Sequence, residues 1–249
     1  MKFHNLENRR IGGYTTWGSI WKKGLVWPGQ EFTVTREDGR EIPAQTRFTA
    51  YWPDGSVKWA AHTADSGKLG ETVVVEPGGN RTGKCIEIME KAQFWRVETG
   101  RIQMEIPKSG DAILRHLTVD GVIRADHASP VLILEQRTKT EDGAVRRQRE
   151  YTGRVETVTV EEQGPIYCVI KVEGIHENSS TGEKKMPFII RMAVGADSDE
   201  IHFTHTFLYD GNPECDFLKG LGIRFYCPMD GPLYNRHVKF GVDHGMFHQ

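Results

Sequence analysis

Apolar residues in this chain recur at every second position, and no run shows the three-to-four-residue spacing of an amphipathic helix. That single property removes most folds from consideration. Ile102, Met104 and Ile106 alternate with polar neighbours. The stretches 155–160, 166–172, 188–194 and 201–208 are rich in β-branched and aromatic residues, which suit a pleated, half-buried strand. Asp38-Gly39, Asp120-Gly121 and Asp142-Gly143 supply turn chemistry between such runs, and 177–185 is a polar exposed loop. Strands joined by turns define an all-β chain. Short strands over residues 1–90 predict a small barrel. Longer ones over 91–249 predict an antiparallel β-sandwich, with the glycine-rich 77–84 as the link.

The barrel half centres on residues 46–63, which hold a Pro53-Asp54-Gly55 turn between two aromatic, β-branched runs. Proline pre-sets φ, aspartate bonds its own backbone, and glycine accepts the positive φ that closes a three-residue hairpin loop with a bulge. Tyr51, Trp52 and Trp59 bring large flat rings to this hairpin, which either pack in a core or offer a platform to a sugar. Upstream, 11–29 carries five glycines and three tryptophans and reads as a looping, ring-bearing segment. It lacks the Gly spacing and terminal Lys-Ser/Thr of a phosphate loop. Phe32 and Val34 share one face of a short strand.

Composition narrows the partners. With a formal net charge of -2 over 249 residues, the chain has no basic footprint for nucleic acid. No apolar run reaches membrane-spanning length, and the polar first ten residues lack the apolar core of an export signal. The four cysteines, Cys85, Cys168, Cys215 and Cys227, form no C-x-x-C pair. Reduced thiols and a cytoplasmic location are the expectation. Gly-x-Ser-x-Gly, the mark of a nucleophile elbow, is absent.

Three stretches together carry a resemblance: Gly-Gly-Tyr-Thr-Thr-Trp-Gly at 12–18, Ala-Tyr-Trp-Pro-Asp-Gly-Ser-Val-Lys-Trp at 50–59, and Asn-Arg-His-Val-Lys-Phe at 235–240. In this order they resemble the exo-acting rhamnogalacturonan lyases of polysaccharide lyase family 26 and their YetA-like bacterial relatives. The resemblance implies a RIFT-type barrel, then a central β-sandwich, then an α/α toroid, of which nothing here looks like the last. Near residue 20 the chain reads Ser-Ile-Trp where the family pattern has Val-Pro-Trp. The resemblance further implies β-elimination on a uronate-containing oligosaccharide. Such a reaction needs a base of suitable pKa and positive charge on the developing enolate. Arg236 and His237 are the candidates for charge stabiliser and base, with Tyr234 and Asn235 beside them as sugar-holding groups. Adjacent residues on a strand point to opposite faces, so Arg236 and His237 share a cleft only if the segment is a loop.

Other clusters have plainer readings. His202 and His205 lie three apart, on opposite faces of a strand, and cannot together ligate one metal without a bulge. The acidic run 197–200 offers oxygens that suit calcium, or is a solvated turn. The basic run Arg146, Arg147 and Arg149 beside Asp142-Gly143 reads as an exposed hairpin end. Three functions therefore stand: a lyase; a non-catalytic carbohydrate-binding module using Trp17, Trp21, Trp52 and Trp59 as stacking platforms; or a structural β-protein. The chain stops straight after a strand-like run, so it is expected to be a fragment that makes no unsaturated product alone and tends to self-associate.

Overall fold

The computed structural model describes residues 1–6, 13–79, 86–141, 143–229, 231–236, 239–242 and 245–248. Cys85, Asp142 and His237, most of the 77–84 link, and Gly12 of the first motif lie outside them.

Seven strands make the N-terminal unit: β1 (Lys2–His4), β2 (Tyr14–Ile20), β3 (Phe32–Arg36), β4 (Glu41–Ile42), β5 (Ala44–Tyr51), β6 (Val57–Asp65) and β7 (Thr72–Pro77). They form two antiparallel sheets, ordered β1-β7-β3-β4 and β2-β6-β5, that close over one core. Phe32 and Val34 point inward from β3 as their alternation demands, and meet Trp21, Val57, Ala60 and Val75. The loop reading of 11–29 is corrected. Residues 14–20 form β2, which pairs with β6 from Tyr14↔Asp65 to Ile20↔Trp59. The Tyr-Thr-Thr-Trp run has strand-forming side chains, and a partner strand some forty residues away outweighs the local flexibility of glycine.

The β5–β6 hairpin closes as its turn chemistry requires. Gly55 sits at φ +87°, the Gly55 amide donates to Trp52 O (2.9 Å), and the Trp52 amide donates to Ser56 O (2.7 Å). Asp54 Oδ1 accepts from both the Ser56 amide (3.0 Å) and its hydroxyl (2.6 Å). Gly55→Val forces a β-branched residue into the left-handed region and is expected to cost about 1–3 kcal/mol. Thermal denaturation checks this, and an unchanged melting temperature would refute it.

The second unit is one ten-stranded antiparallel sheet folded over on itself. Its strands are β8 (Glu87–Glu90), β9 (Phe94–Glu98), β10 (Ile102–Pro107), β11 (Leu114–Val119), β12 (Val122–Thr140), β13 (Gly143–Gln163), β14 (Tyr167–Glu177), β15 (Lys184–Gly195), β16 (Ile201–Phe207) and β17 (Asp216–Tyr226). They run in sequence order from β8 to β16, while β17 pairs with β12. β8 pairs with β9, so the boundary read at residue 90 falls at the end of the first strand of this sheet. The two long strands turn the corner. β12 pairs with β11 through its first third and with β13 through its last half. β13 passes from β12 to β14 with register shifts at 155/157 and 160/162. Such irregularities let a strand bend from one layer into the other. Ile102, Met104, Ile106 and Leu114 of one layer thereby meet Cys168, Ile170, Phe188, Ile190 and Met192 of the other. A smaller cluster of Leu132, Leu134, Tyr151 and Met186 fills the far end. A short hairpin follows, β18 (Lys239–Val242) with β19 (Gly245–His248). The described helical residues are two 3-10 turns, Ser66–Lys68 and Leu233–Asn235.

Two of the anchors that join barrel and sandwich are each seated on a glycine. Gln45 reaches the β13–β14 turn, where its carbonyl accepts from the Tyr167 amide (3.1 Å) and its amide donates to Glu162 Oε1 (2.7 Å). A Cβ at Gly164 would stand 2.0 Å from Gln45 Oε1. Tyr14 lays its ring over Gly195 and donates its hydroxyl to Ala196 O. Burial pushes that phenol up to about 12.

Candidate functional site

The three-stranded barrel sheet has an inner face that fills the core and an outer face that ends at the sandwich. On β6, Ala60, His62 and Ala64 point inward, and Trp59 points out with 41% of its surface exposed. Trp59 stands opposite Ile20 and Ala50. The neighbouring row holds Gly18, Ala61 and Arg47. The Trp59 ring lies over Gly18, with 3.8 Å between it and the place a Cβ would take, an ordinary packing distance. The third row, Thr16 and Thr63, shares a hydroxyl hydrogen bond of 2.8 Å.

Below this row the face runs into a cleft of about 470 Å³ between barrel and sandwich, lined by Thr16, Arg47, Tyr167, Val169, Arg191, Glu161 and Glu162. Its charges come in pairs. Arg47 Nε lies 3.1 Å from Glu162 Oε2, whose other oxygen is the one held by Gln45. Arg191 grips Glu161 through Nε (2.7 Å) and Nη2 (3.0 Å) and holds that carboxyl below the usual range. A flat indole beside a polar cleft with guanidinium and carboxylate groups matches what a sugar presents: a C–H face for stacking, hydroxyls for bidentate bonding.

The sequence candidates separate on this scaffold. Trp59 is the member of the tryptophan set with a broadly open face. Trp21 is corrected as a platform: it is 5% exposed, in the barrel core, with its indole N–H donated to Ser19 Oγ at 2.7 Å. Trp52 is half-buried, donates to Trp21 O (3.0 Å) and carries the Lys58 ammonium 4.7 Å over its ring, so it braces the hairpin. Trp17 packs between Phe3 and His62 and lines an apolar pocket of about 270 Å³ with Phe3, Leu6, Leu69 and Val73. Tyr234 and Asn235 lie in the second 3-10 turn, with Tyr234 88% exposed. Arg236 donates from Nε to Gly231 O at 2.8 Å. Among the described residues no bond or ring contact ties this segment to the Trp59 face, and its pairing with His237 lies outside them. Sequence reasoning passed over Arg47 and the outward-facing Trp27; a lone arginine in an alternating strand carries no local signal of what it will face.

The remaining clusters resolve simply. His202 is exposed and His205 turns inward, on opposite faces of β16 as their spacing demands. In the acidic run, Asp199 is held by Arg101 at 2.9 Å and Glu200 lies 3.5 Å from His202. Among the described residues no three His, Cys, Asp or Glu side chains converge on one metal position. Arg146, Arg147 and Gln148 stand exposed on the β12–β13 hairpin arm. No described helix is long and apolar enough to cross a membrane.

Two family profiles account for nearly all of the sequence. The PcRGLX-like N-terminal RIFT barrel domain matches residues 1–78, and the PcRGLX-like protein central beta sandwich domain matches residues 86–249. The chain belongs to the PcRGLX-like family. A bacterial relative, the protein described as Uncharacterized protein YetA of Bacillus subtilis (strain 168), is 32% identical over 240 residues. That alignment covers 96% of this chain and 28% of the relative, so the chain spans less than a third of that relative's length. The RIFT barrel and β-sandwich expected from the alternation and the three motifs are thus the fold of this chain.

Proposed function

We propose that this PcRGLX-like chain is the barrel-and-sandwich part of a lyase that acts on rhamnogalacturonan-type oligosaccharides by β-elimination, and that the outer barrel face holds the sugar. The observation that carries the sugar-binding reading is the open Trp59 ring, one row along the same barrel face from Arg47, which lines the cleft. A pyranose stacks on the indole while its neighbour reaches the guanidinium and carboxylate groups below. Arg236 and His237 are proposed as charge stabiliser and base of the elimination, acting on a sugar whose acidic proton lies alpha to its carboxylate.

Trp59→Ala is expected to weaken binding of rhamnogalacturonan oligosaccharides by about tenfold, the scale of one lost aromatic stack of about 1.5 kcal/mol. With 41% of its surface exposed, the ring also packs on the sheet, so a modest fall in melting temperature is expected and affinities are compared at a temperature where both proteins are folded. Calorimetric titration of both proteins checks this, and equal affinity would remove Trp59 from the site. The second reading is a carbohydrate-binding module with no chemistry of its own, favoured by the full pairing of the charged groups in the cleft. Ultraviolet absorbance of the unsaturated uronate, followed with a longer protein that carries this barrel and sandwich, separates the two, since only a lyase generates that chromophore.

A further inference from the structure

β14 and β16 flank β15, and each sends one histidine onto the face that packs into the sandwich core. His176 is completely buried and His205 half-buried, with ring centroids 6.3 Å apart. The Phe188 ring lies against both, at 5.0 and 6.3 Å. His176 is hydrogen-bonded through Nδ1 to the carbonyl of Met186 at 2.7 Å. A carbonyl can only accept, so that nitrogen carries the proton and Nε2 presents a bare lone pair. Yet His176 Nε2 is buried without a partner among the described residues, and so is His205 Nε2. One orphaned ring nitrogen in a core is uncommon. Two of them on neighbouring rings call for a shared guest.

The backbone around His176 is itself distorted. The β14–β15 register shifts between Ile175 and His176, and Met186 sits at φ +48°. That conformation costs a non-glycine residue about 1 kcal/mol or more, and persists only where its surroundings impose it. Asp210 imposes it here by accepting the Met186 amide at 2.8 Å, which leaves the Met186 carbonyl bonded to the imidazole. A ring fixed through Nδ1–H to a carbonyl, with Nε2 free, is the arrangement by which proteins orient histidine toward a metal.

We propose that His176 and His205 together bind a divalent transition-metal ion of the zinc, nickel or copper type through their Nε2 atoms. Nitrogen ligands without convergent carboxylates suit these ions and not calcium or magnesium. Metal–nitrogen bonds of about 2.0–2.1 Å around a tetrahedral ion bring two imidazole centres to roughly 5 Å. The rings stand slightly wider, and the half-buried His205 can close the difference by a small side-chain rotation. Both Nε2 atoms are shielded from solvent as the rings stand, but β16 is the outermost strand of its layer and His205 is half-buried, so the same rotation that closes the rings on the ion admits the water molecules that complete its shell. With two protein ligands the site is of moderate affinity.

The test is calorimetric titration of metal-stripped protein with zinc chloride, paired with visible spectra of the cobalt(II) form. The expected result is a one-to-one isotherm and ligand-field bands, both lost in His205→Phe and both kept in His202→Ala on the opposite face of the strand. A third readout needs no variant: zinc should shift the ring-nitrogen resonances of His176 and His205 and leave those of the other eight histidines in place. No isotherm, an isotherm that survives His205→Phe, or unmoved His176 and His205 resonances would overturn the proposal and leave a trapped water as the guest.

Discussion

Gly174→Ala is expected to lower the unfolding midpoint of the sandwich far more than a methyl added at an open glycine of the same sheet. Gly174 lies in β14, paired on one side with Val155 and on the other with Phe188. A Cβ built there would stand 2.0 Å from the Arg154 carbonyl oxygen and 2.7 Å from Phe188 Cζ. A side chain can rotate away from such a contact, but a backbone carbonyl held in a ladder moves only if the ladder opens. Overpacking a core costs about 1–3 kcal/mol, and a clash with backbone belongs at or above the top of that range. Gly222→Ala in β17 is the matched control. Nothing lies within 4 Å of the place its methyl would take and its φ is ordinary, so the change should stay within about 0.5 kcal/mol. Urea denaturation of the pair decides the matter, and coincident midpoints would refute the packing argument.

Mild acid is expected to be the second large perturbation. His62 is fully buried in the barrel core, between Ser19 Oγ on Nε2 (2.7 Å) and Thr46 Oγ1 on Nδ1 (2.9 Å). Burial, reinforced by the positive amino group of Met1, pulls its pKa from 6.5 to about 4. The unfolded chain therefore takes up this proton first. Stability is complete above pH about 6.5, declines as the pH falls toward about 4, and has no further loss from this group below that. The shift is worth on the order of 3 kcal/mol. His176 and His205 are displaced downward by the same cause, burial, and deepen the decline. Carboxylates that are held low, such as Asp54 by the Ser56 hydroxyl, lose their contribution only at still lower pH. Melting temperatures recorded from neutral pH down to about 4 should drop within the histidine window. A flat profile there would show that these imidazoles are hydrated in the native state.

What is legible in the sequence is what short range determines. The Pro53-Asp54-Gly55 turn forms because three consecutive residues fix its dihedrals, and Phe32 with Val34, or Ile102 with Met104 and Ile106, face inward because a strand has period two. β2 escapes a local reading because its stability comes from β6, far along the chain, whose Trp59 ring lies across Gly18. β12 escapes as a strand of nineteen residues, since its edges are filled by β11, β13 and β17, the last two of which arrive later in sequence. The site shows the same limit. Trp21, Trp52 and Trp59 are chemically alike, and only the curvature of the barrel decides which ring is core, which is brace and which is platform. Arg47 becomes a candidate when Glu162 stands opposite it from another domain.

The long β12 strand has a consequence for how the protein is made. Its residue Gln136 waits for Asp216 and its His127 for Tyr226. At roughly 5–20 residues per second a ribosome needs about 4–16 s to supply the roughly eighty residues that separate the first of these pairs. Through that interval the sheet already assembled from β8 to β12 shows a bare ladder to the surroundings of the nascent chain. Slow codons placed between the β12 and β17 coding regions should lengthen this exposure and lower soluble yield. The same codons moved beyond the β17 coding region should not.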